Sequence, residues 1–280
     1  MTRPSHIPDA PLPGSQLDAD RMPGHWLLAR LGKRVLRPGG RELTDQMLGA
    51  LQISGDDDVV ELAPGLGSTT RLVLDHSPAS YRGVDRDADA VAQVGGLLQR
   101  PQDSVSVGSA TATGLPDESA DVLFGEAYLT MQPASQKDKI LAEAARVVRA
   151  GGRIGLHEVA FAPDDIDPAD ADRAAEALTS QIKVNVTPLS LEGWRALLER
   201  HGFEVDQQRT APLHLLEPRR LIADEGLSGA LRFVRNVARG GDARRRVLGM
   251  RRAMRANAEH LQACVITAVR TSADVATGTA

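Results

Sequence analysis

Val59-Val60-Glu61-Leu62-Ala63-Pro64-Gly65-Leu66-Gly67, followed by Ser68-Thr69-Thr70, decides how this chain folds. Val59, Val60 and Leu62 form the apolar run that a strand carries when both of its faces are covered. Gly65 and Gly67 free the backbone and let a ligand lie against the main chain. Ser68-Thr69-Thr70 then opens a helix bearing Leu72, Val73 and Leu74. Strand, glycine turn and helix in that order aim free N–H groups at whatever sits above the strand's end. Alone, such a turn also serves as a plain connector, so its neighbours decide its meaning.

Outward from this stretch, strand and helix patterns alternate. Tyr81–Asp85, Val105–Val107, Asp121–Phe124 and Arg153–His157 read as the next four strands. Val91, Val94 and Leu98 mark one intervening helix. Ile140, Ala144, Val147 and Val148 mark another, with Ser135 as its N-cap. Alternation of this kind predicts a parallel sheet wrapped on both faces. Beyond it, Asp167-Pro168 and Ser190 cap two further helices, Phe203–Val205 starts a sixth strand and Ala263–Val269 forms a seventh.

The pattern divides the chain into a leader over 1–18, a domain over 19–270 and a tail over 271–280. Pro4, Pro8, Pro11 and Pro13 predict that the leader is disordered. Two helices over 19–57, interrupted at Pro38-Gly39-Gly40, precede the first strand as a lid. Residues 58–160 form the cofactor-binding core, and 161–202 and 214–259 form helical caps. Residues 217–259 hold eleven arginines against five acidic residues, a net charge of +6 that leaves −10 for the rest of the chain.

Composition narrows the function. The 280 residues are 42 % hydrophobic, enough for a sizeable core, but only 3 % aromatic, too few for a base-stacking surface. The net charge of −4 argues against a general nucleic-acid binder. A single cysteine, Cys264, excludes a disulfide framework and a multi-cysteine metal centre, so no metal is expected and the cytoplasm is the expected compartment. No long apolar segment suggests a membrane span.

Four signals fall at the ends of successive strands, where open α/β sheets bind ligands. They are the glycine turn, Asp85 twenty residues after Gly65, Gly108-Ser109-Ala110, and Gly125-Glu126. A carboxylate at position 85 suits both hydroxyls of a ribose. A dinucleotide fingerprint needs a third glycine where Thr70 stands, which weakens a nicotinamide-dependent reductase. A nucleoside cofactor without pyrophosphate, such as S-adenosylmethionine, is easier to fit.

The run Glu61–Gly67 resembles the first motif of class I S-adenosylmethionine-dependent methyltransferases. Gly114-Leu115-Pro116-Asp117-Glu118-Ser119-Ala120-Asp121-Val122 is similar to their lead into the fourth strand, and Ala144–Arg153 to the helix–turn–strand that follows. The resemblance covers about residues 45–160 and the final strands, and is nearest to the small-molecule group of ubiquinone and menaquinone methyltransferases. It implies an α/β fold: a Rossmann-like seven-stranded, mostly parallel sheet with the last strand antiparallel. It also implies roles. Glu61 and the Gly65–Gly67 backbone would hold the amino-acid end of S-adenosylmethionine, and Asp85 the ribose. Arg86 and Ala110 would flank the adenine, and Gly125 and Glu126 would meet the ammonium group. Ser109 stands where many relatives carry an aspartate. Ala63 replaces the first glycine, a swap that suits a negative φ.

Methyl transfer needs alignment and exclusion of water more than acid–base chemistry. If the acceptor must lose a proton, the candidates are His157, Glu158 and Tyr128, of which a histidine titrates nearest neutrality. His25, Trp26, Met131 and His214 are the candidates for the acceptor pocket. The expected reaction is methyl transfer to a small-molecule acceptor. The alternatives are a nicotinamide-dependent reductase and a non-catalytic S-adenosylmethionine-binding regulator that uses the basic helices to reach a partner.

Overall fold

The computed structural model describes residues 12, 13, 16–18 and 21–271, so the expectations for the leader and the tail fall almost wholly outside it. Seven strands form one sheet: β1 (Asp58–Leu62), β2 (Ser80–Asp85), β3 (Ser104–Val107), β4 (Ala120–Glu126), β5 (Val148–Phe161), β6 (Phe203–Pro212) and β7 (Leu261–Arg270). Their order is β3-β2-β1-β4-β5-β7-β6. The first five run parallel, and β7 is antiparallel to both β5 and β6. The chain winds outward from β1 to β3 and then returns to β4 on the other side of β1. That reversal opens a crevice above the tips of β1 and β4.

The alternation along β1 puts its side chains on two faces, as the period of a strand requires. Val60 and Leu62 join the cluster that packs α5 (Ala134–Val147) and α7 (Leu191–Arg200) against the sheet, with Trp194 at its centre. Val59 faces the opposite cluster, under α2 (Gly40–Leu51), α3 (Ser68–Asp75) and α4 (Ala88–Gly95). The remaining helices, α1 (Gly24–Arg30), α6 (Pro168–Ile182), α8 (Pro218–Arg239) and α9 (Gly241–Ala256), share a third apolar cluster beside the sheet.

Several expectations need correction. α2 lies on the sheet rather than over the crevice: a Cβ on Gly155 of β5 would come within 3.2 Å of Met47. α7 likewise packs on the sheet, so only α6 of the 161–202 segment belongs to the cap. Ser135 is not an N-cap, since α5 begins at Ala134 after Pro133. The first helix stops at Arg30, short of the apolar residues at 35 and 36, because Gly32 turns the chain at φ +102°.

Past Gly32 the chain becomes a lid loop tied to α8. Lys33 Nζ, fully buried, donates to Asp224 at 3.2 Å and to Glu225 at 3.5 Å. Glu225 also accepts the N–H groups of Arg34 and Val35, both at 2.9 Å, and Asp224 accepts that of Arg41 at 3.1 Å. These carboxylates replace the carbonyl partners that a continued helix would have given. Immediately after them, Gly226 breaks α8 with φ +70° and ψ 169°.

Candidate functional site

The tips of β1, β2 and β4 and the turn after β3 surround a cavity of about 610 Å³, and α1 and the lid loop roof it. Gly65, Asp85, Arg86, Ser109, Ala110, Glu61 and Glu126 all lie on its wall. Gly65 takes φ +57° and Gly67 φ +69°. At Gly67 a side chain is also excluded by space, since a Cβ would meet Leu97 at 2.6 Å. Ala63 corrects the expectation of a negative φ: it sits at +55°, in the left-handed region where a Cβ is strained.

Besides Asp87, which caps α4, three carboxylates line this cavity, each held differently. Asp85 Oδ2 accepts the Gly65 N–H at 3.1 Å and Oδ1 accepts the Asp87 N–H at 3.0 Å. Each oxygen therefore keeps a lone pair for a ligand hydroxyl, and burial raises the carboxyl above its ordinary range. Glu61 Oε2 accepts the hydroxyls of Tyr81 at 2.6 Å and Thr70 at 2.7 Å. Burial outweighs both bonds and pushes Glu61 up to about 7. Glu126 is the opposite case. Burial alone would raise it, but Arg37 at 3.4 Å and His157 at 2.7 Å, with the Thr44 hydroxyl at 2.6 Å, hold it at about 2. The Thr69 hydroxyl donates to its second oxygen.

His157 is not on the cavity wall, which corrects its expected role as a base. Its Nδ1 is hydrogen-bonded with the Glu126 carboxylate and its Nε2 with the Pro38 carbonyl, so both ring nitrogens are engaged inside the protein and neither faces the cavity. Glu158 is likewise structural. Fully buried, it accepts the N–H groups of Tyr128 (3.1 Å), Leu129 (2.8 Å) and Thr130 (2.9 Å) and the Thr130 hydroxyl (2.6 Å), and so fixes the 3-10 turn Leu129–Met131. Tyr128 does line the cavity. Its buried hydroxyl has no partner among the described residues, and burial keeps the phenol neutral by raising it well above its ordinary range.

Gly125 lies within the sheet, between Leu62 and Leu156, and its Cβ would run into the Tyr128 ring. Neither Gly125 nor Gly67 reaches the wall, so the direct contacts expected of them are not placed there. His214 is exposed between β6 and α8, outside the cavity. His25 and Trp26 meet edge to face at 4.5 Å. They cover the cofactor side: a Cβ on Gly65 would lie 3.9 Å from Trp26, and His25 sits beside Arg86 and Asp87. Burial holds the His25 imidazole down to about 4, hence neutral at pH 7. Met131 stands on the wall with Gln132 and Gln136.

Sequence reasoning missed Arg34 and Arg37 on the lid loop, and Thr69. Thr69 was within reach, being an N-terminal hydroxyl of the helix that follows the glycine turn. Arg37 carried no signal, because its partner Glu126 lies 89 positions away in the sequence.

Buried carboxylates at positions 61, 85 and 126 repel a pyrophosphate and favour a ligand carrying positive charge. Thr70, bound to Glu61, fills the place of the third dinucleotide glycine. A ribose with a cationic sulfonium and an ammonium group fits this wall.

Residues 60–156 match a family described as a methyltransferase domain. An uncharacterized protein of Haemophilus influenzae is 35 % identical over 218 residues, covering 76 % of this chain and 85 % of its own length. This chain belongs to the class I S-adenosylmethionine-dependent methyltransferases. A 27-O-demethylrifamycin SV methyltransferase of Amycolatopsis mediterranei is 26 % identical to this methyltransferase over 174 residues, 61 % of the chain and 62 % of the relative. The fold matches phosphoethanolamine N-methyltransferase 2 of Haemonchus contortus in complex with S-adenosyl-L-methionine, with a TM-score of 0.66 at 14 % identity, covering 89 % of this chain and 57 % of that one. S-adenosylmethionine is the methyltransferase's cofactor, and the wall of the cavity is chemically suited to it.

Proposed function

We propose that this methyltransferase transfers a methyl group to a small-molecule acceptor enclosed beneath the lid. When bound, S-adenosylmethionine supplies a methyl group already activated on a cationic sulfonium. Asp85 receives the ribose hydroxyls through its free lone pairs. Arg86 and Ala110 flank the adenine, and Glu61 in its ionised form meets the ammonium group. Glu126 stays charged beside it and, through Arg37, clasps the lid loop to the floor. Ser109 is committed to its own turn, bonded to the Thr111 hydroxyl at 2.8 Å, so it gives the adenine no charge-assisted bond.

The acceptor end falls to Tyr128, Met131, Gln132 and Gln136. No strong base stands there. The Tyr128 phenol is a donor, and His25, on the cofactor side, is a weak base. Alignment of the acceptor and exclusion of water are therefore what these residues would contribute to the transfer.

The observation that carries the reading is the roofed cleft itself. The cavity is the size of a small-ligand site, and no residue of the arginine-rich 217–259 segment lies on its wall. The A. mediterranei relative, named for a small molecule, supports it.

The test is calorimetry with S-adenosylhomocysteine and NADH, then mass spectrometry of small molecules that co-purify. S-adenosylhomocysteine should bind and NADH should not. Asp85→Ala should cost about 2 kcal/mol, roughly 30-fold in affinity, the scale of a lost charged hydrogen bond. Unchanged affinity in Asp85→Ala refutes the ribose contact. Turnover only of a polymeric substrate refutes the small-molecule acceptor.

A further inference from the structure

Among the described residues, most of the large apolar side chains that are exposed sit on the α8–α9 cap, which the catalytic reading does not use. After the break at Gly226, α8 runs from Leu227 to Arg239 with Leu227, Leu231 and Val234 on one face, spaced i, i+4 and i+7. They are 64 %, 62 % and 55 % exposed. The inner face of the same helix is already committed, since Ala230, Phe233 and Val237 pack against the cap cluster. The exposed stripe adjoins this packed face, so the helix is apolar over more of its circumference than the cap covers.

Charge shows what that partner is. Arg232, Arg235 and Arg239 lie along one edge of the apolar stripe, opposite the edge that adjoins the cap. The cap's ion pairs engage Arg220, Arg245, Arg251 and Arg255. Arg232, Arg235, Arg239, Arg244 and Arg252 have no carboxylate within ion-pair distance among the described residues. Leu248, 44 % exposed, adds an apolar side chain on α9. The segment carries +6 within a chain otherwise at −10.

An apolar stripe bordered by arginines is the composition of a helix that lies in a membrane interface. The leucines enter the acyl boundary, and the guanidinium groups reach the phosphates on long stems. A symmetric pairing of two copies through this face would set arginine against arginine. Nucleic acid would leave the leucines wet, and the outer face has no aromatic ring for bases to stack on. No helix among the described residues is long and apolar enough to cross a membrane, so the contact is peripheral.

We propose that the outer face of α8 and α9 docks on an anionic lipid bilayer. The docking is independent of the acceptor's identity. The turn just before the break at Gly226 holds the lid loop through Asp224 and Glu225, so the docked segment follows directly in the chain on the anchor of the cavity's roof.

The experiment is co-sedimentation of the full chain with sucrose-loaded vesicles, either pure phosphatidylcholine or phosphatidylcholine with about 30 % phosphatidylglycerol. The chain should pellet with the anionic vesicles only, and less so as salt is raised, because surface charge attraction is screened. Leu231→Asp should lower partitioning at least tenfold. Arg232→Gln and Arg235→Gln should each lower it about fivefold, the attraction of one arginine to an anionic surface. None of these exposed changes should alter the thermal shift given by S-adenosylhomocysteine, which reports on fold and cofactor site separately. Several outcomes overturn the proposal: no pelleting with anionic vesicles, equal pelleting with neutral ones, or variants that pellet like the parent. So does a concentration-dependent dimer in the centrifuge that Leu231→Asp dissolves, since the missing partner would then be a second copy.

Discussion

Glu61→Gln isolates the most informative group on the cavity wall. In the free protein, burial holds the Glu61 carboxyl at about 7 against an ordinary 4.5. A ligand ammonium beside it stabilises the charged form and releases the proton. Below about pH 6 nearly every molecule must give up one proton to bind, so affinity for S-adenosylhomocysteine should rise about tenfold per pH unit. Near pH 7 about half a proton should be released, and above about pH 8 the dependence should level off. Glu61→Gln keeps the oxygen that Tyr81 and Thr70 bond to and removes the titration. It should bind weakly and with little change from about pH 5.5 to 8. Calorimetry across that range, in two buffers of different ionisation enthalpy, reads both the slope and the proton count. A flat profile in the parent, or the same slope in Glu61→Gln, refutes the assignment of Glu61 to the ammonium. Stability gives a second reading. Because the folded-state value is raised, the stabilisation is full below about 4.5 and lost as pH rises through about 7. The loss is at most ~3 kcal/mol, and it should vanish in Glu61→Gln.

Ala63→Gly should be neutral or stabilise the fold by up to ~1 kcal/mol in urea unfolding, because relief of the left-handed strain offsets the added freedom of the unfolded chain. A loss above ~1 kcal/mol would contradict the positive φ. Lys33→Met leaves Glu225 buried without a cation and Asp224 with only Arg220 at 3.9 Å, and should cost ~3–5 kcal/mol, with new protease cleavage in the lid loop. Adding Asp224→Asn should recover part of the loss; a loss under ~1 kcal/mol in Lys33→Met alone would show that the latch is not under tension. Tyr128→Phe should leave stability within ~0.5 kcal/mol, since the hydroxyl has no partner to lose, while weakening acceptor KM; normal KM would remove Tyr128 from the acceptor end.

The candidate site was legible where neighbours in sequence become neighbours in space. The glycine turn, Asp85 and Ala110 all follow strands, and a parallel sheet brings such tips together whatever the rest of the chain does. His157 and Glu158 misled for the same reason. Both end a strand pattern, but β5 runs on to Phe161 because β7 pairs with it in the antiparallel sense, and so both positions fall inside the sheet. The 217–259 segment gave its charge from composition alone. That its leucines face outward required the packing of α8 on the cap.

By itself, the sequence determined the alternation of strands and helices, the place of the crevice and Asp85 at its edge. These follow from the strand period, the glycine positions and the rule that such sheets bind ligands at their strand tips. Only the tertiary structure decided the protonation of the cavity's carboxylates and the closure of the roof. Glu61 and Glu126 are the same residue type, yet one is raised by burial and the other lowered by Arg37 and His157. The sequence does not encode locally which long-range partner reaches a buried charge. The Lys33–Asp224–Glu225 latch spans more than 190 positions for the same reason: its members meet because the lid loop packs on α8, not because the chain runs between them.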